Sequence, residues 1–156
     1  MSEKILNEMD LEPIMVKIMD IEEGLGWSLE FTKRVAAEYR KYLVLCKEHP
    51  DAAVVPSSFV DDFWHFHILD TQKYQEDCEH YFGYFLHHFP YFGMRGKEDE
   101  DNLKAAWVES CTLYENHFGA LPTDLWLASK RCPNCGRRSN SIKYTMDQRP
   151  RLVVAA

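Results

Sequence analysis

The chain has 156 residues, enough for one domain with a substantial core and too few for two full domains. Its formal net charge of -7 argues against general affinity for nucleic acid phosphates, with the basic C-terminal segment as a local exception. No apolar run reaches the roughly 20 residues of a membrane span, and the first residues do not have the pattern of a secretory signal.

The sequence predicts an all-α, compact bundle of about four to five helices. A first helix is expected from about Leu11 to Glu23, where Gly24 ends it. Ser28 is a typical N-cap for a longer helix from Leu29 to about Lys47, whose apolar residues recur with the spacing of one helical face. Pro50 ends this helix, because the residue before a proline is pushed out of the helical region.

The second half of the bundle is predicted to be helical as well. A third helix is expected to run without a break from Phe59 to about Phe82, with Ser58 in a capping role. A fourth helix starts at Asp99 or Asp101 and ends near position 116, and a short closing helix covers Thr123 to Ser129. Residues 1–129 are therefore expected to form the helical domain and residues 130–156 a C-terminal appendage.

The third predicted helix and the loop after it carry an unusual concentration of residues with metal-binding and catalytic chemistry. The run Val60-Asp61-Asp62-Phe63-Trp64-His65-Phe66-His67 is followed by Asp77-Cys78 and then by His87-His88. Imidazole, carboxylate and thiolate are ligands that proteins use for zinc and iron. The clustering predicts a functional site in this part of the chain.

Helical geometry separates these side chains into two groups. Asp61 and His65 lie at i, i+4, where a carboxylate and an imidazole can share one ion or hydrogen-bond each other. His67 lies on the apolar face and, on a continuous helix, about 16 Å from Cys78, too far for one coordination sphere. A metal site at Asp61 therefore needs a further ligand, which the histidines at 87–88 can supply from the following loop.

Structural interpretations compete with the metal site. His67 fits a buried histidine whose nitrogens are satisfied by Asp70, by Thr71 or by a residue from another helix. Asp61 with His65 also fits an exposed helix pair or a charge that favours the helix dipole. Cys78 is most simply a small buried hydrophobic residue.

The motif also resembles a known family. Val60-Asp61-x-x-Trp64-His65-x-His67, with Leu69-Asp70, Tyr74, Asp77-Cys78, Phe82-Gly83 and His88, resembles the glycine-rich domain-containing protein-like family over about residues 27–93. That family is described without an assigned activity, and the present chain has no glycine-rich tract. The resemblance implies that a group of residues acts together, without defining its role: Asp61, Trp64, His65, His67 and His88.

A second chemical signal is the C-terminal motif Cys132-Pro133-Asn134-Cys135-Gly136. Its spacing is typical of half a zinc knuckle, and the neighbouring arginines favour the thiolate form. The missing ligands could come from Cys111, from His117, or from a second subunit that shares the zinc in an oligomer. A redox thiol pair and inert thiols are the alternatives. The odd number of scattered cysteines is typical of cytosolic thiols, so we expect a cytoplasmic protein.

The sequence thus predicts a small helical metal-binding protein with zinc or iron as cofactor. The candidate ligands are Asp61, His65, His67 and His88 in the helical domain and Cys132 and Cys135 in the appendage. Three alternatives stay open: a protein–protein interaction module with structural histidines, a metal-dependent hydrolase or oxygenase, and an adaptor that binds nucleic acid through the basic C-terminal segment.

Overall fold

The computed structural model describes residues 1–127, 136–137 and 143–153, and confirms that the protein is mostly helical. The helices in these ranges are α1 (Ser2–Glu8), α2 (Glu12–Met19), α3 (Leu29–Glu48), α4 (Ser58–Leu69), α5 (Thr71–Tyr81) and α6 (Lys97–Phe118). Two short strands, β1 (His88–Phe89) and β2 (Gly136–Arg137), pair antiparallel, with His88 opposite Arg137. Within the described ranges, no helix is long and apolar enough to cross a membrane.

Helix α3 is the central element of the bundle, and α1, α2, α4 and α6 pack against it. It begins as the sequence predicts, because the Ser28 hydroxyl accepts a hydrogen bond from the Phe31 N–H at 3.2 Å. Its buried face includes Val35, Tyr39 and Leu43. Each such apolar side chain contributes about 1.5–3 kcal/mol when fully buried, so packing of this face holds the bundle together.

The expectation of one continuous helix over residues 59–82 is wrong, because the chain breaks at Asp70. This residue has φ -82° and ψ 79°, outside the helical region, and its carboxylate accepts from the Lys73 N–H at 3.3 Å as the N-cap of α5. Aspartate favours such caps because its side chain competes with the helical backbone for hydrogen bonds. The break lets α5 fold back toward α4.

Helix α4 also begins differently from the prediction. The Ser57 hydroxyl accepts from the Val60 N–H at 3.3 Å, so the cap lies one residue before Ser58. With Ser57 as the N-cap, the residue three positions later is Val60 rather than Asp61, so the Asp61 carboxylate takes no part in capping the helix. It contacts His65 and His88 instead.

Two other predicted helices are shorter than expected. The helix predicted to reach Glu23 ends at Met19, because the Asp20 carboxylate accepts from the backbone N–H groups of Glu22 and Glu23 and forms a turn. The predicted closing helix is a turn over residues 123–126, with the Leu125 and Trp126 N–H groups bonded to Pro122. Helix α1 has no counterpart in the prediction.

The buried side chains form two clusters. The larger cluster joins α1 to α5 and includes Trp126 after α6. The smaller one packs α6 against Phe89, Phe92 and the late residues Tyr144 and Met146. Because Phe89 belongs to this second cluster, β1 is held between α6 and the C-terminal residues.

Candidate metal centre

Three side chains with metal-ligating atoms converge where α4 meets β1: Asp61, His65 and His88. The Nε2 of His88 lies 2.9 Å from Asp61 Oδ1, and the Nε2 of His65 lies 3.0 Å from Asp61 Oδ2. The two Nε2 atoms are 3.0 Å apart. Among the residues that the structure describes, these three form a group whose ligand atoms all lie within 4.8 Å of one another.

Each member of the group is positioned by a different feature of the fold. Asp61 and His65 lie one turn apart on α4, as the sequence predicts. His88 comes from β1, and its ring centroid lies 4.3 Å from that of Trp64. The fold thus brings a loop histidine onto the carboxylate–imidazole pair of the helix.

The loop that carries His88 is fixed by a buried tyrosine. The Tyr74 hydroxyl donates to the backbone carbonyl of Leu86, two residues before His88, and accepts from the Trp64 indole N–H at 3.0 Å. Tyr74 and Trp64 are both buried. The role of Tyr74 is not apparent from the sequence, where it looks like an ordinary member of an aromatic face. Trp64 belongs to the group that the resemblance singled out, but its link to the loop required the structure.

The group has a buried side and an exposed side. The side chain of Asp61 is 1% exposed and that of His88 is 9% exposed, whereas 47% of the His65 side chain is exposed. Solvent can therefore reach the group from the side of His65.

Charge stabilisation within the group favours an ionised Asp61. Burial alone raises the pKa of Asp61, but hydrogen bonds from His65 and His88 outweigh burial and hold the pKa below its ordinary value. The hydrogen bond to Asp61 raises the pKa of His65, against the opposing effect of burial. The carboxylate is thus a charged acceptor facing two imidazole nitrogens.

The separations among the two imidazole nitrogens and the two Asp61 oxygens are close to those between neighbouring ligands of a metal ion. Zn–N and Zn–O bonds of about 2.0–2.1 Å place neighbouring ligands of a tetrahedral ion about 3.3 Å apart. Octahedral ions with bonds of about 2.1 Å place them about 3.0 Å apart. The observed separations of 2.9–3.0 Å lie within a few tenths of an ångström of both values.

His67, also a candidate ligand from the sequence, lies outside this group. Its Nδ1 is 2.7 Å from the Tyr39 hydroxyl, and its Nε2 is 2.8 Å from Asp77 Oδ2. Burial raises the pKa of Tyr39 well above its usual value, so this hydroxyl stays protonated and can donate to Nδ1. One neutral tautomer of His67 then satisfies both contacts, and the residue fits the structural interpretation.

The remaining candidates are distributed as follows. Cys132 and Cys135 lie outside the described residues. His87 is exposed, and its ring lies 4.9 Å from the ring of Phe85 rather than in the Asp61 group. Cys78 is buried in the core, where burial raises the pKa of its thiol.

Residues 2–125 match the UCP032817-like family, and the chain therefore belongs to this uncharacterised family. The resemblance to the glycine-rich domain-containing protein-like family is thus wrong. A few residues around one Trp-His-x-His helix suggested it, whereas the family match extends over most of the chain. No curated protein and no solved structure matches the sequence.

Proposed function

We propose that this UCP032817-like protein binds one divalent metal ion, zinc or iron(II), through Asp61, His65 and His88. The observation that carries the proposal is the convergence of these three side chains from α4 and a separate strand. The two imidazole Nε2 atoms lie 3.0 Å apart, and they lie 2.9 Å and 3.0 Å from the two carboxylate oxygens of Asp61. Two imidazoles and one carboxylate form a donor set that both metals accept.

The contact between the two imidazoles supports a metal over a simple hydrogen-bond cluster. If both rings donate from Nε2 to Asp61, their two N–H groups lie side by side with the nitrogens only 3.0 Å apart. When one cation takes the place of the two Nε2 protons, this repulsion is removed, because each neutral ring then carries its proton on Nδ1 and directs its Nε2 lone pair at the ion. Metal binding should weaken as the pH falls, because an imidazolium must lose a proton before it can bind the ion.

The exposure of His65 favours a second, more specific function, that of a metal-dependent hydrolase or oxygenase. Three protein ligands leave at least one position for water, as in catalytic rather than closed structural zinc sites. Zinc in such a site supplies a nucleophilic hydroxide near neutral pH, and iron(II) supplies oxygen chemistry. The buried Asp61 and His88 form the wall of the site, and the exposed His65 leaves access for a small substrate.

The experiment compares metal content in untagged, full-length protein reconstituted with zinc or, without oxygen, with iron(II). A Cys132→Ser/Cys135→Ser background removes thiol ligands from the comparison. In this background we expect elemental analysis to show that His88→Ala loses one dialysis-resistant equivalent and that His87→Ala loses none. His87 is a matched control because it is the exposed sequence neighbour of His88.

Two results would oppose the proposal. A metal-free background protein of unchanged thermal stability would favour the protein-interaction module with structural histidines. A metal content of His88→Ala equal to that of the background would place the site elsewhere. The proposal also includes the separate zinc knuckle at Cys132 and Cys135, for which one further zinc equivalent should distinguish wild type from the double-serine background.

A further inference from the structure

A second pair of histidines meets at the C-terminal ends of two helices. The Nε2 atoms of His49 and His117 lie 2.9 Å apart, although the residues are 68 positions apart in sequence. His49 is the C-cap of α3, and His117 lies in the last turn of α6. The two rings are nearly perpendicular, at 88°. None of the three ligands of the proposed Asp61 centre takes part in this contact.

The position of the pair favours a cation. The last carbonyls of a helix carry about half a negative charge, and here the ends of α3 and α6 come together. Only one proton can lie between two nitrogens at 2.9 Å, so a doubly protonated pair would be repulsive. A metal ion instead uses one lone pair from each ring and places its charge near both helix ends.

The surroundings leave space for further ligands. A cavity of about 380 Å³ beside His49 is lined by Glu48, His49, Pro50, Asp51 and Ala52. It has room for water molecules, whose oxygens would supply the further ligands of an ion held by the two imidazoles. A late first-row metal bound by two imidazoles usually completes its coordination with such oxygen ligands.

We infer that His49 and His117 form a second metal site, for a late transition-metal ion such as zinc, which links the end of α3 to the end of α6. The expected N···N separation for two imidazoles on tetrahedral zinc is about 3.3 Å, so the rings need to separate by only a few tenths of an ångström. Because the ligands belong to two helices, binding stabilises the packing of α6 against α3.

The test uses zinc and the full-length chain in a His65→Ala/Cys132→Ser/Cys135→Ser background, which removes one ligand of the Asp61 centre and both thiols of the proposed knuckle. Isothermal titration should find one zinc equivalent, lost in His117→Ala and in His49→Ala. His80→Ala is the matched control, since His80 is an exposed helical histidine whose ring lies 4.6 Å from that of Tyr81. Saturating zinc should raise the melting temperature of the background and of His80→Ala only.

The outcomes separate this site from the Asp61 centre. In the chain with intact His65, His88→Ala and His117→Ala should each lose one zinc equivalent, and the double variant should lose two. A loss in only one of the two variants would therefore support one site and contradict the other. Circular dichroism should confirm that each variant folds. If His117→Ala does not fold, His117→Gln is the polar replacement to use in its place. Zinc binding that is absent from the background, or unchanged in both His49→Ala and His117→Ala, would show that the pair is only an imidazole–imidazole hydrogen bond.

Discussion

The indole N–H of Trp64 donates to the hydroxyl of Tyr74 at 3.0 Å, which joins α4 to α5 inside the core. The same hydroxyl donates to the Leu86 carbonyl in the loop before β1. One buried oxygen thus links the helix that carries Asp61 to the loop that carries His88. The geometry of the proposed metal centre depends on this connection.

Tyr74→Phe should therefore weaken metal binding as well as folding. The change leaves the Trp64 N–H and the Leu86 carbonyl without this partner, at a cost of about 1–3 kcal/mol in unfolding free energy. Loss of such indirect support for a ligand typically weakens metal affinity by about 10–100-fold. A competition titration with zinc should measure this decrease in the affinity of the Asp61–His65–His88 site.

Tyr114→Phe is the matched control for this prediction. It also removes a buried hydroxyl, one that donates to Glu38 at 2.7 Å, in a contact that involves none of the three proposed ligands. We expect a comparable loss of stability with zinc affinity unchanged. Equal losses of affinity in both variants would mean that Tyr74 acts only through general destabilisation.

The part of the site that follows from local geometry could be predicted from the sequence. Asp61 and His65 are one helical turn apart, and this relationship depends only on the helix itself. His88 could be proposed because Gly83 and the loop after it allow the chain to return toward α4. Helix geometry alone left His87 and His88 open, and at the level of sequence only the resemblance selected His88; the physical reason for His88 is its position in β1, which the structure provides.

The partners of His67 were beyond sequence reasoning for a different reason. On one continuous helix, Asp77 lies about 15 Å from His67, and only the break at Asp70 brings the two together. The other partner, Tyr39, comes from α3, a contact between residues 28 positions apart. Hydrophobic periodicity predicts which faces are buried, but it does not say which polar groups meet across them.

Tyr39→Phe should destabilise the protein without unfolding it. The hydroxyl of Tyr39 lies 2.7 Å from His67 Nδ1, and both residues are at most 1% exposed. Its removal leaves a buried imidazole nitrogen without this donor, which costs about 1–3 kcal/mol. Urea unfolding should show that loss, and Tyr91→Phe, a change at a half-buried residue outside the larger cluster, should cost less. A stability equal to wild type would exclude a structural role for the Tyr39–His67 contact.

Asp77 should make stability depend on pH in the acid range. Burial raises the pKa of Asp77, but hydrogen bonds from His67 and Lys73 outweigh burial and hold the pKa below its ordinary value. A carboxylate with a lowered folded-state pKa stabilises the protein fully above the unfolded-state value of about 3.9. This contribution is lost as the pH falls through the lower folded-state pKa.

The measurement is the difference in unfolding free energy between wild type and Asp77→Asn, followed from about pH 7 downward. We expect wild type to be the more stable at neutral pH and the difference to shrink below about pH 4 as Asp77 becomes protonated. Contributions from other carboxylates cancel in this difference. A difference in unfolding free energy that stays constant from about pH 7 through the acid range would contradict the assignment of an ionised, stabilising Asp77.

Glu38→Gln tests a buried carboxylate on α3 that the sequence does not single out. Its Oε2 accepts from the Tyr114 hydroxyl at 2.7 Å and from the Trp126 indole N–H at 2.8 Å, while Oε1 accepts from Lys41 at 3.2 Å. An amide has only one acceptor oxygen, so its NH₂ group must face either the Lys41 ammonium or the two ring donors.

The resulting donor–donor contact should lower the unfolding free energy of Glu38→Gln by about 1–3 kcal/mol. The loss should reach about 3–5 kcal/mol if Lys41 is also left without its charge partner. Glu76→Gln, on the exposed face of α5, should change stability by less than about 0.5 kcal/mol. A double-mutant cycle with Tyr114→Phe should return a coupling energy of about 0.5–3 kcal/mol, because the two side chains are in direct contact. Additive effects would instead mean that the turn after α6 is held by the packing of Trp126 alone, and that the carboxylate is replaceable.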